Sequence, residues 1–127
     1  MESWDLRAIH VEPSEPRILA SGDDARAIVL TLPEGEELSE HEVHERARLF
    51  VVDGAVDVST PEGEFATARA GHLFEFAPGE RHSVTARDDS RLLLLLSPWP
   101  GDGHPGAMTL EQKARVREAA AGRADAA

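Results

Sequence analysis

The side chains best able to do chemistry in this chain lie in two stretches, residues 35–54 and residues 71–82. The first holds His41 and His44, with Glu34, Glu36, Glu37, Glu40, Glu42 and Glu45 close by, and the second ends on His82 after a Pro78-Gly79 turn. Imidazole is both the commonest neutral metal ligand and a proton carrier near neutral pH, so these histidines suit metal ligation or hydrogen bonding to a ligand. The surrounding carboxylates would favour a cation over an anion. The chain has no cysteine, which excludes disulfides, thiolate metal sites and cysteine nucleophiles. No Gly-x-Ser-x-Gly elbow occurs, and Gly101-Asp102-Gly103 lacks both a Walker lysine and a strand-to-helix setting. Serine hydrolase and phosphate-loop chemistry therefore have no support.

The elements that must position these residues read as strands. Residues 36–48 are rich in Glu and Arg and would form a helix on propensity alone, but they carry no apolar stripe at helical spacing. Upstream, residues 4–11 alternate weakly and are cut off by Pro13 and Pro16, as in an edge strand or an extended arm. A short strand over residues 18–20 stops at Ser21-Gly22-Asp23-Asp24, and residues 25–32 form the next. The apolar run of residues 49–52 meets residues 55–58 across Asp53-Gly54, which predicts a tight hairpin. Further strands are expected over residues 65–68, 73–76 and 82–86, separated by Gly- and Pro-containing turns. Residues 92–96 are apolar on both faces and need cover on the outside as well. Residues 98–106 hold three prolines and three glycines, so they form a loop, and a capping box at Thr109 predicts a short helix from about Leu110.

A chain of 127 residues is one domain. It divides into an arm with edge strands over residues 1–24, an all-β core over residues 25–97, and the loop and short C-terminal helix over residues 98–127. A formal net charge of -11 argues against nucleic acid as a partner, because phosphate binding relies on clustered Lys and Arg. No apolar run approaches the roughly twenty residues of a membrane-spanning helix. The acidic first residues carry no secretory signal, so a soluble, cytoplasmic protein is expected.

The two stretches together resemble the signature motifs of the cupins. Gly35 stands five residues ahead of His41, Gly54 closes the first motif, and Gly71, Pro78-Gly79 and His82 fit the second. The resemblance implies a double-stranded β-helix, or jelly-roll barrel, over about residues 25–96. It maps the family's metal ligands onto His41, Val43, Ala47 and His82, of which only the histidines can coordinate.

Period-two alternation puts His41, Val43, Ala47, Leu49 and Val51 on one side and His44 on the other. A β-bulge at the barrel rim would bring His44 inward and complete a three-histidine site; otherwise His44 is an exposed strand residue. Glu42 and Glu45 read as solvated charges, and Glu75 as the partner of an arginine.

Two functions follow. One is a barrel that binds a small organic molecule against Val43, Ala47, Leu49 and Val51, with a weakly held divalent ion (zinc, nickel, iron or manganese) at His41, His44 and His82. The other is a metal-dependent enzyme of isomerase or dioxygenase type, so whether the chain is an enzyme stays open at this point. The surplus apolar face carrying Phe50 and Val52, with the run 92–96, predicts a homodimer.

Overall fold

The structure is a computed structural model that describes residues 1–41 and 44–97. These residues form β1 (Arg17–Ser21), β2 (Arg26–Leu32), β3 (Glu37–His41), β4 (Arg46–Asp53), β5 (Ala55–Ser59), β6 (Phe65–Arg69), β7 (Leu73–Phe76), β8 (His82–Ala86) and β9 (Ser90–Ser97). The strands make two antiparallel sheets, one in the order β1-β2-β9-β4-β7 and the other β3-β8-β5-β6. This is the jelly roll that the sequence implies. The expected loop and C-terminal helix lie outside the described residues. Among the described residues no helix is long and apolar enough to cross a membrane.

Alternation decides what faces inward. In β2 the inner series is Ile28, Leu30 and Leu32, and in β4 it is Ala47, Leu49 and Val51, all buried in one apolar cluster with Leu92 and Leu96 of β9. Each fully buried Leu or Val contributes about 1.5–3 kcal/mol relative to exposure. The central strand β9 pairs on both sides, with β2 and with β4, so its outer residues Leu93 and Leu95 also lie over apolar neighbours and are half-buried.

The amino-terminal segment is an arm. Pro13 bridges to Thr31 of β2, the Ser14 N–H donates to the Thr31 carbonyl at 2.8 Å, and Arg91 Nη1 donates to the Leu6 and Ile9 carbonyls at 3.0 and 2.7 Å. Val11 and Val29 are buried although neither belongs to the interior cluster, so the outer side of the large sheet is covered in part from within the chain.

Asp53-Gly54 does not make the expected hairpin. Strand β4 ends in the five-stranded sheet and β5 begins in the four-stranded one, so the dipeptide is a corner between sheets. Both primed two-residue turns need positive φ at the first central residue, whereas here Asp53 lacks it and only Gly54 has it, at +87°. The corner is tight: a Cβ on Gly54 would stand 2.4 Å from the Asp89 carbonyl oxygen and 2.5 Å from Ser90 Oγ. Ser90 Oγ is buried there and accepts from the Ala55 N–H at 3.1 Å, with the Ala55 and Asp88 carbonyls in reach of its own proton.

Gly63, by contrast, has φ +92° but no atom within 4 Å of a built Cβ. Gly54→Ala should therefore destabilise by clearly more than the ~1 kcal/mol of backbone strain expected for Gly63→Ala. Urea denaturation of the two variants measures the difference, and equal losses would mean that the corner relaxes freely.

Candidate functional site

The site is built on one row that crosses the large sheet. Arg26 of β2 is in register with Leu96 of β9, Leu96 with Ala47 of β4, and Ala47 with Phe76 of β7. All are buried, so the row lines the inside of one end of the barrel. Glu45 precedes Ala47 by one period of alternation and shares its side, with 3% of its surface exposed.

The opposite sheet contributes His82, the first residue of β8, which is 2% exposed. Its ring lies parallel to that of Phe76, with centroids 3.8 Å apart and planes 4° from each other. Phe76 continues a row of rings through Phe74 of β7 at 6.2 Å to the exposed His72, which precedes the strand, at a further 4.6 Å. The stack therefore ties the two sheets together at the end that carries Arg26 and Glu45.

The charges at this end are unequally satisfied. Arg26 Nε donates to Ser21 Oγ at 3.1 Å. Burial pushes the Arg26 guanidinium below its ordinary pKa, and the Glu45 carboxylate opposes that shift, so the two groups sense one another while the arginine stays cationic at any ordinary pH. Neither oxygen of Glu45 has a hydrogen-bond partner among the described residues. Leaving a buried carboxylate in that state is costly, since such groups are ordinarily paired and hydrogen-bonded.

Of the residues singled out in the sequence, His82 is buried as an interior residue, and His41 is its register partner across β3 and β8. A bulge that would bring His44 inward is not among the register shifts described; one lies instead upstream, where Leu38 pairs with Val84 and His41 with His82, so one extra residue sits between Leu38 and His41. It sets His41, in place of Glu40, opposite His82. His44 lies beyond it and is exposed. Ala47, Leu49 and Val51 are inward and buried, and Val43 lies outside the described residues.

Glu45 corrects the expectation of a solvated charge, because regular alternation already holds at the start of β4 and carries it inside. Glu75 faces out and pairs with Arg48 Nη2 at 2.9 Å, as its position between Phe74 and Phe76 predicts. Arg26 was not singled out from the sequence. It continues the inner series Ile28, Leu30, Leu32 by one step, which was the available signal.

For a metal, the described side chains at this end that could donate are His82 and Glu45, and His41 is set opposite His82 by backbone register alone. Among the described residues no group of three His, Asp or Glu side chains is placed to hold an ion.

If Arg26 and Glu45 are coupled, replacing both by Met should give a protein more stable than additive single losses predict, by about 1–3 kcal/mol. Chemical denaturation of wild type, Arg26→Met, Glu45→Met and the double variant gives the coupling. Additivity within about 0.5 kcal/mol would mean that the charges act separately.

Comparison with known proteins agrees with this architecture. The family model described as "Cupin domain" matches residues 28–98, more than half of the chain. An RmlC-like cupin protein from Desulfovibrio desulfuricans superposes with a TM-score of 0.70 at 17% identity, covering 77% of this chain and 97% of that one. KdgF from Halomonas sp. gives 0.62 at 28% identity, over 71% of this chain and 85% of that one. The protein NMB1881 from Neisseria meningitidis gives 0.66 at 20% identity, over 76% and 99%. No curated protein matches the sequence. The match of the family model to the two-sheet core, on which the register at the barrel mouth rests, shows that the chain belongs to the cupin family.

Proposed function

We propose that the chain binds a small organic molecule at the mouth of its barrel. The observation that carries this reading is Glu45, a buried carboxylate with two oxygens that no described residue satisfies, at the end of the barrel that also holds a buried arginine and the Phe76–His82 stack. A ligand that brings its own donor would supply the missing hydrogen bonds, each worth about 1.5–3 kcal/mol when one partner is charged. Val43, Ala47, Leu49 and Val51 would give the apolar wall for its carbon skeleton. A cytoplasmic location and a small-molecule partner go with this reading.

The second reading, a metal-dependent enzyme, draws support from the pairing of His41 with His82 in register. A bound ion would supply Lewis acidity, with His41, His82 and Glu45 as the residues able to hold it. In the reading we favour, the ion is weakly held and exchangeable.

We also propose a homodimer, built on the outer side of the five-stranded sheet. Phe50, Leu93 and Leu95 are half-buried there and Leu73 is exposed, beyond the part that the arm covers.

Native mass spectrometry of untagged protein, purified without chelator, tests all three statements in one measurement. The expected spectrum is a dimer with a small organic adduct that Glu45→Gln weakens by about tenfold, and with partial metal that chelator strips. One tightly held metal per chain, lost equally in His41→Ala and His82→Ala, would establish the enzyme-like site in its place. A bare monomer would remove both the ligand and the assembly.

A further inference from the structure

Strand β6 ends the four-stranded sheet, and its outer edge is less guarded than the other sheet edges among the described residues. An edge strand invites pairing with another chain unless it is short, irregular, or marked by proline or charge. Strand β1 follows Pro16 directly and shifts register between Ile18 and Ala20, β3 shifts between Leu38 and His41, and β7 has four residues. Strand β6, Phe65-Ala66-Thr67-Ala68-Arg69, holds no proline and pairs with β5 without a shift. The direction of its backbone groups follows from its neighbours. Ala86 of β8 exchanges hydrogen bonds with Gly35 and Glu36, on the side away from β5, and the Arg87 N–H donates to the Ala55 carbonyl. In β5, therefore, Ala55, Asp57 and Ser59 turn their N–H and C=O toward β8, and Val56 and Val58 turn theirs toward β6. Ala68 and Ala66 answer Val56 and Val58, which leaves the backbone groups of Phe65, Thr67 and Arg69 directed away from the sheet. Among the described residues, the one backbone bond these groups make is from the His72 N–H to the Arg69 carbonyl, at 3.1 Å.

The side chains of the same three residues are exposed on the outer side of the sheet, Phe65 to 66%, while Ala68 is buried in the interior cluster. Thr67 is fixed there, its hydroxyl donating to Asp57 Oδ1 at 2.6 Å. Arg69 makes no ion pair among the described residues. The order aromatic, hydroxyl, cation at positions 65, 67 and 69 is complementary to its own reverse. We propose that β6 pairs antiparallel with β6 of a second copy of this chain, centred on Thr67, and joins the two four-stranded sheets into one. The two Thr67 residues exchange N–H···O=C bonds about the two-fold axis, and Phe65 and the partner's Arg69 form the next hydrogen-bonded pair. Directly opposed side chains touch, so each exposed ring receives a guanidinium in a cation–π contact. One short strand buries less than a standard interface, so the pairing is weak and shows at high protein concentration. It uses the other sheet from the dimer face of Phe50 and Leu93 and does not depend on that dimer.

Amide hydrogen exchange of the full chain, read residue by residue by NMR, tests the pairing. Raising the protein concentration about a hundredfold should slow exchange at Phe65, Thr67 and Arg69 by about tenfold, by mass action, while Ala66 and Ala68, already bonded to β5, change little. Sedimentation of variants then tests the side-chain pairing. Phe65→Lys sets a cation against the partner's Arg69 and should weaken the association by about tenfold, whereas Phe65→Glu should preserve it. Adding Arg69→Glu to Phe65→Lys should restore it. Positions 65 and 69 stand roughly 13 Å apart along one strand, so such a rescue acts between copies. Exchange at Thr67 that ignores concentration would overturn the proposal, and so would equal weakening by Lys and Glu at position 65. Association unchanged in Phe65→Lys would belong to the large-sheet face and would overturn it too. The exchange pattern of wild type decides without any variant, so the result does not depend on a variant folding.

Discussion

The pairing of β9 with both β2 and β4 is the constraint on which the rest of the molecule depends. It sets Leu96 opposite Arg26 on one side and Ala47 on the other, and through Ala47 it fixes Phe76 and the inward direction of Glu45. Because side chains alternate along a strand, a slip of one residue in either pairing would turn Arg26 and Glu45 to solvent and bring Ala27 and Arg46 inward. Such a slip is opposed by the whole inner series of the three strands, since Ile28, Leu30, Leu49, Val51 and Leu92 would leave the core together. The hydrophobic interior and the polar mouth are thus one pattern: the register that buries the leucines also buries the charges.

The four-stranded sheet meets this frame through two local departures from regular structure. At Gly54 the chain leaves one sheet for the other, passing against Asp89 and Ser90 so closely that a side chain has no room. At the other end, the extra residue between Leu38 and His41 shifts β3 against β8 and brings two histidines opposite each other. One departure joins the sheets away from the mouth, and the other sets the backbones of His41 and His82 in register at it. The parallel rings of Phe76 and His82 then close the contact from the second sheet to the row that holds Glu45.

Much of this could be read in the sequence, where a strong period coincided with clear punctuation. Residues 92–96 are apolar on both faces, and the strand there is paired on both edges, with its inner side buried and its outer side half-buried. Pro78-Gly79 gives its turn, with Gly79 at φ +79°, and Glu75 finds its arginine. Asp53-Gly54 was misread because a dipeptide records the ease of a turn and not which strand the chain pairs with afterward. That choice depends on Asp89 and Ser90, which lie far along the chain. Glu45 was misread for a related reason. Charge predicts exposure, and here the alternation of β4 carries on to the residue before the strand, a tertiary fact that overrides it. The bulge was anticipated as a device but not at its place, since nothing local to residues 38–41 marks it.

A small barrel with nothing to bind at its mouth would gain stability from apolar side chains there, because a buried ion pair is commonly neutral or unfavourable against hydrophobic residues of similar volume. Ala47, at one position of the family's ligand set, is apolar and fully buried, so the mouth tolerates an apolar residue there. Yet it retains Arg26 and Glu45 in the same region, each buried and one of them without a hydrogen-bond partner among the described residues. Simple loss of function would leave no reason for that combination, since the cheapest repair, an apolar residue at position 45, continues the pattern of positions 47, 49 and 51. Strain and unmet polar groups that persist inside an otherwise consistent core are where a fold gives up stability for a site.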